Sequence, residues 1–258
     1  MSARIIDAHI HMDMYHPDER SRILDDMESS GVDALISVSS HLDSARENLQ
    51  LAWQDSRIKP AIGYHPEQSL PSDEVVGNLL RLIDRHQHEL TAVGEIGLPY
   101  YLRQEGKVTS LEAYTDVLEA FIQKAVELDK PIVLHAIYDD APMVCDLLEK
   151  HSAAKAHFHW FKGDGRTVER LRANDYFLSV TPDILYKQRT RDLVLTYPLE
   201  KMMVETDGPW SFEGILKGKM THPVMIHHSI REMSDLKRMS VDDVYRQIYE
   251  NTCRFYRL

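Results

Sequence analysis

The sequence predicts an α/β fold, a single closed (β/α)8 TIM barrel spanning residues 1–258, and three observations carry that prediction. Short apolar runs alternate with longer amphipathic stretches through about eight units, the pattern of a parallel sheet covered by helices. The length of 258 residues is the usual size of one such barrel, and no long linker, low-complexity tract or internal repeat interrupts it. Finally, groups able to bind a metal collect at the ends of the strands, where a barrel places its chemistry. A doubly wound open sheet is the structural alternative.

Taken in order, strands are predicted at residues 4–10, 34–40, 58–64, 91–97, 131–136, 154–160, 176–180 and 201–206. Most carry β-branched or aromatic residues and read as buried parallel strands. Helical patterns occupy 19–30, 43–55, 73–89, 110–131, 140–151, 166–173, 187–197 and 241–256. The clearest begins at Ser110, a residue able to cap it. Leu111, Tyr114, Val117, Leu118, Phe121, Ile122, Ala125 and Leu128 then recur on one face until Pro131 stops it.

Composition narrows the function. A net charge of -11 gives no support for a broad nucleic-acid-binding face, although a small basic site beside a metal is compatible with it. The N-terminus lacks an apolar signal-peptide core, and no run of 18 apolar residues offers a membrane span. Cys145 and Cys253 stand far apart, so no disulfide framework is expected. These features predict a cytoplasmic protein with no membrane association and no obligatory protein partner. The chain has 14 histidines, so a bound metal would be held by nitrogen and oxygen.

The strand ends supply such ligands. The first strand ends in His9 and His11, the fourth in Glu95 and the fifth in His135. The sixth ends in His157 and His159, the eighth in Glu205 and Asp207. Residues two apart on a strand face the same side. His9 and His11 therefore point together into the barrel mouth, while Ile6 and Ile10 share the opposite face. Of the pair on the sixth strand, His159 is expected to be the ligand because it lies nearer the strand end, and His157 a packing or supporting residue. Asp207 is preferred over Glu205 because it precedes the Gly208-Pro209 turn signal. Imidazole with carboxylate suits Zn, Mn, Ni or Fe, and the residues do not choose among them.

In this order, "DAHIHMD", "GYHP", "GEIGLPYY", "VLHA", "HWFKG" and "ETDGP" resemble the motif series of the TatD-type metal-dependent hydrolases of the amidohydrolase superfamily, related to deoxyribonucleases. The resemblance runs nearly the whole chain, to "ENT" at 250–252. It implies a metal-dependent hydrolase barrel with one or two divalent cations (Mg included). His9, His11 and Asp207 would belong to the first, His135 and His159 to the second, and Glu95 would bridge them. Four positions depart from the family pattern: Pro99 replaces an Asp, Ile137 an Arg and Glu67 a His, while Thr221-His222-Pro223 replaces an Asn-Glu-Pro stretch. The metal set is thus expected intact and the substrate pocket rebuilt.

The expected activity is attack by a metal-activated water, with Asp207 as the catalytic proton acceptor. The substrate would be a small molecule or a nucleic acid. A phosphodiester, as in a deoxyribonuclease, leads. A lactone, amide or phosphotriester on the same metals is the alternative, and a non-enzymatic metal-binding barrel comes last. Substrate-binding candidates are His65, Tyr100, Arg103 and Lys162. His65 reads equally well as a loop cap before Pro66. The segments 98–107 and 207–222, with Tyr101, Lys107, Trp210, Phe212, Lys217 and Lys219, read equally as stacking surfaces or as a lid. His222, His227 and His228 are expected on a solvated helix face.

Overall fold

A computed structural model describes residues 4–258, so that Met1–Ala3 of the expected 1–258 domain lie outside the described residues. Eight strands form one parallel sheet in sequential order. They are β1 (Ile5–Ile10), β2 (Val32–Val38), β3 (Ile58–Ile62), β4 (Ala92–Gly97), β5 (Ile132–His135), β6 (Ala156–Phe158), β7 (Phe177–Val180) and β8 (Met202–Val204). The sheet closes at its mouth. Beyond the end of β8, the Asp207 amide donates to the His9 carbonyl at 2.9 Å and the His11 amide to the Gly208 carbonyl at 2.8 Å. This is the (β/α)8 barrel, and the open-sheet alternative falls with that closure.

Around it run α1 (Pro17–Ser30), α2 (Leu42–Gln54), α3 (Asp73–Arg85), α4 (Tyr100–Gln104), α5 (Glu112–Glu127), α6 (Asp140–Lys150), α7 (Gly165–Ala173), α8 (Gln188–Thr196), α9 (Ile226–Lys237) and α10 (Val241–Tyr256). The short α4 is not among the predicted segments, and α9 is the helix expected to carry His227 and His228 past the last strand. Helix α5 is shorter than its apolar pattern suggests. Ser110 accepts only a long 3.4 Å hydrogen bond from the Glu112 amide, and Leu111 occupies the cap position. At the far end the chain leaves the helix before Pro131, turning through Asp129 at φ 53°. No helix among the described residues is long and apolar enough to cross a membrane.

Two apolar clusters share the strands between them. Ile10, Leu35, Ile58, Val93, Ile132, Leu134, Phe158 and Leu178 pack toward the helices. Ile6, Ala8, Ala34, Ile36, Ala61, Ala92, Val133 and Met203 fill the barrel interior, plugged by Phe255 and Tyr256 from the end of α10. Ile6 and Ile10 thus lie in different clusters, which corrects the simple alternation read from the sequence. The ladder of β1 with β2 shifts register between Asp7 and Ile10, and that of β4 with β5 shifts between Val93 and Ile96. Such irregularities re-aim side chains next to functional sites. Here each one immediately precedes or contains a ligand candidate, His9 in β1 and Glu95 in β4.

Glycine is required where the strands crowd the site. A Cβ at Gly97 would stand 1.9 Å from the His135 carbonyl oxygen, and one at Gly208 would stand 1.8 Å from the Tyr15 hydroxyl. Both positions hold backbone that carries ligands, so the close approach is part of how the mouth is built.

Candidate metal centre

The six expected ligands converge at the barrel mouth. Glu95, at the end of β4, is fully buried and divides them between its two oxygens. Its Oε2 lies 3.3 Å from His9 Nε2 and 3.4 Å from His11 Nε2. Asp207 Oδ1 lies 3.3 and 3.5 Å from the same two nitrogens. The other oxygen, Oε1, lies 2.8 Å from His159 Nε2 and 3.1 Å from His135 Nδ1. A further imidazole joins this second group: His65 Nε2 is 3.3 Å from Oε1. The donor atoms of His9, His11 and Glu95 fall within ligand distance of one another, as do those of His65, Glu95 and His135.

Several of these atoms are buried without a hydrogen-bond partner, namely His9 Nε2, Glu95 Oε2 and Asp207 Oδ1. Buried polar atoms are normally paired. Lone pairs left bare and aimed at a common point fit a cation, and the mixed imidazole–carboxylate set is right for one.

The electrostatics agree. Burial would push the His9, His11, His135 and His159 imidazoles down. The facing carboxylates outweigh it: Glu95 acts on all four, Asp207 on His9 and His11, Glu67 on His135 and Glu205 on His159. All four are raised to about 9. Burial alone would lift Glu95 and Asp207, yet the imidazoles around them hold both below the ordinary carboxylate range. His65 behaves differently. Burial lowers it despite Glu95, so it presents a neutral ring.

Supporting residues fix the rings. Glu67 lies 3.4 Å from His135 Nε2 and accepts from the amides of Tyr101 and Leu102 at 2.7 and 2.9 Å. It thereby ties β5 to the start of α4. Glu205, the strand-end carboxylate passed over in favour of Asp207, accepts from the Trp160 amide at 2.7 Å and from the Ser179 hydroxyl at 2.5 Å. His157 sits deeper, bonded to Ser179 Oγ at 2.6 Å and to the Tyr256 hydroxyl at 2.7 Å, and burial holds it neutral.

A cavity of about 420 Å³ opens above the ligands, walled by His65, Glu67, Tyr101, Ile137, Trp160, Lys162, Trp210 and Ser211. Of the four substrate-binding candidates, the structure brings His65 and Lys162 to this cavity but not Tyr100 or Arg103. Arg103 forms an ion pair with the buried Asp140, and Tyr100 packs on Tyr138 with ring centroids 4.8 Å apart. In the 207–222 segment Trp210 stands at the lip, whereas Phe212 is buried with Leu216 and Met225. Thr221 fastens that segment, donating to the Trp210 carbonyl and receiving the Tyr15 hydroxyl on its own carbonyl at 2.9 Å. Of the three histidines expected on a solvated face, His228 is part-exposed, whereas the other two are engaged. His222 is buried ahead of α9, and His227 bonds the Tyr245 hydroxyl and the Ser30 carbonyl. Their isolated reading missed the packing of α9 against α1 and α10.

Comparison with known proteins agrees with this geometry. The family described as TatD related DNase matches residues 6–257. An uncharacterized metal-dependent hydrolase of Haemophilus influenzae is 34% identical over 255 residues, covering 98% of this chain and 100% of that one. The human deoxyribonuclease TATDN3 is 28% identical, covering 98% of this chain and 94% of its own. Among solved structures, the TatD homologue YjjV of Escherichia coli superposes with a TM-score of 0.85 at 24% identity over the full length of both chains, which shows the shared fold.

Proposed function

This chain belongs to the TatD-related DNase family and is a metal-dependent hydrolase, and from that premise we propose that it cleaves phosphodiester bonds with two divalent cations. The observation that carries this reading is the division of Glu95, with Oε2 facing His9 and His11 and Oε1 facing His135 and His159. His9, His11, Asp207 and Glu95 Oε2 would hold one cation. His135, His159 and Glu95 Oε1 would hold the other, with His65 as an added ligand in place of the substrate contact expected for it. A deoxyribonuclease name among the relatives supports nucleic acid as the substrate.

Cations held there supply a water nucleophile at neutral pH and neutralise charge on the attacked phosphoryl group. The chain's own residues do the rest. Asp207, kept ionised by His11 and His9, accepts the proton of the attacking water and returns it to the leaving oxygen. Glu67 and Glu205 stand 3.4 and 3.8 Å from the outer ring nitrogens of His135 and His159, where outer carboxylates orient ligating imidazoles. Trp160 and Trp210 limit water entry and offer flat faces to a base.

Ile137 favours a second reading. An apolar side chain lines the cavity two residues after His135, which suits a lactone, amide or phosphotriester better than a bare phosphodiester. One screen separates the two. Single-stranded DNA, bis(p-nitrophenyl) phosphate, a lactone series and an anilide series are incubated with Mn²⁺, Mg²⁺ or Zn²⁺, wild type beside His9→Ala. Phosphodiester turnover lost in the variant is the expected result. Turnover of lactones or amides alone would replace the phosphodiester reading.

A further inference from the structure

Lys162 is nearly buried, at 9% exposure, in the wall of the metal-centre cavity, and among the described residues no carboxylate pairs with it. Its ammonium donates to the Tyr101 hydroxyl at 3.0 Å and rides over the Trp160 ring, 4.2 Å from the centroid. An ammonium has three hydrogens. One serves Tyr101 and the ring face takes part of the charge, which leaves donor capacity toward the cavity. Tyr101, having accepted from Lys162, keeps its own hydroxyl hydrogen to give.

A second cation stands behind this pair. Arg189, at the start of α8, donates to the Tyr138 hydroxyl at 2.8 Å, and it too lacks a carboxylate partner among the described residues. It lies close enough to Lys162 to depress the lysine's pKa, after burial, the larger cause. Burying an ammonium without a directly paired counter-ion is costly, and the guanidinium of Arg189, itself exposed to solvent, adds repulsion rather than relief. In a chain of net charge -11, two unpaired cations at the junction of the loops after β5, β6 and β7 are a local reversal of the molecule's field. Asp183 and Asp207 offset part of the Lys162 charge from a distance, but no carboxylate pairs with it directly, and that place is left for what enters the cavity.

We propose that Lys162 and the Tyr101 hydroxyl, with Arg189 behind them, form a subsite for a phosphate monoester carried by the substrate beside the bond that is cleaved. The preferred substrates are then nucleotide esters with a terminal phosphate, one phosphate at the cations and one at Lys162. A dianion with three terminal oxygens matches a cluster of donors and two positive charges better than a carboxylate does. The cavity, about 420 Å³, has the size of a small-ligand site, and Trp160 and Trp210 flank it for the base. This rests on the phosphodiester reading of the same site.

Two measurements on the full-length protein as purified test it. In the first, tryptophan fluorescence is titrated with thymidine 3′,5′-bisphosphate and with each thymidine monophosphate. The bisphosphate should bind about tenfold or more tightly than either monophosphate. Lys162→Met should erase that ratio and Lys162→Arg restore part of it. In the second, the Mn²⁺-loaded enzyme is given the dinucleotide TpT bare, or with a phosphate at its 5′ or 3′ end. One phosphorylated form should be cleaved with a kcat/KM about tenfold higher, through KM, and Lys162→Met should remove the preference. Equal binding of bisphosphate and monophosphates, or a preference that survives in folded Lys162→Met, overturns the subsite. A bisphosphate preference lost in Lys162→Met, with no dinucleotide cleaved, keeps the subsite and fails the phosphodiester reading instead.

Discussion

The imidazoles of His9 and His159 stack face to face, with centroids 3.8 Å apart and planes 9° from parallel. They come from β1 and β6 and reach opposite oxygens of Glu95. Two imidazoliums at that distance repel, and the carboxylates around them hold them: the shared Glu95, with Asp207 beside His9 and Glu205 beside His159. Cations in place of the protons remove the conflict, because each neutral ring then offers a lone pair.

Glu95→Gln keeps the shape and removes the charge that both ligand groups share. Bound divalent metal, measured by elemental analysis, should fall from the two per chain proposed for the wild type to one or none. Turnover should drop by roughly a hundredfold or more, since the metals and their nucleophile are lost together. Two metals retained with near-normal turnover would show that Glu95 does not bridge.

Removing metal should invert the pH dependence of stability. In the metal-free protein His9, His11, His135 and His159 are raised from 6.5 to about 9. A raised imidazole contributes stability that is complete below about 6.5 and lost as pH climbs through 9. Chelator-treated protein should therefore melt at a lower temperature at pH 9 than at pH 6.5. Metal-loaded protein, whose ligands bind as neutral rings, should not lose stability in that window. A metal-free melting temperature that rises toward pH 9 would contradict the charge arrangement described.

Arg103 should prove structural. Arg103→Ala strands Asp140, whose carboxyl burial already lifts to about 6 against the pull of Arg103. Breaking a buried pair costs about 3–5 kcal/mol, a figure to be reduced here because the arginine side chain is 29% exposed. Urea denaturation should show the loss at pH 7, while KM of the folded fraction changes little. A large rise in KM with unchanged stability would return Arg103 to the substrate.

Tyr256→Phe removes the hydroxyl that holds His157 Nδ1 at 2.7 Å. It should cost about 1–3 kcal/mol, the penalty for a buried polar atom left unpaired. Metal content should stay at the wild-type value, because His157 bonds Ser179 and Tyr256 and none of the ligand side chains. Loss of metal without loss of stability would mean that His157 supports the centre more directly.

Much of the site is legible without coordinates because strand ends impose it. The i, i+2 spacing of His9 and His11 aims both at the mouth, and the terminal positions of Glu95, His135, His159 and Asp207 set their height on the barrel axis. Other features are not local. His157 has the same spacing from His159 as His9 from His11, yet it lies one layer deeper, where Tyr256 from the last helix meets it. Arg103 and Lys162 look alike as loop cations. The buried Asp140 takes the first, and among the described residues no carboxylate pairs directly with the second. His65 reaches Glu95 because β3 lies beside β4.

The residue order by itself determined about eight alternating strand-helix units and the chemical type of the centre, since these follow from periodicity, length and what stands at strand termini; closure into a barrel rather than an open sheet was decided where the chain after β8 bonds the end of β1. Tertiary structure alone decided which oxygen of Glu95 each imidazole faces, that His65 comes within 3.3 Å of Glu95, and that no carboxylate among the described residues pairs with Lys162. It also decided the register shifts in β1 and β4, which override the alternation that Ile6 and Ile10 suggested. The reason is that side-chain direction is a property of one strand, whereas depth, partner and counter-charge depend on the register of neighbouring strands and the packing of distant helices.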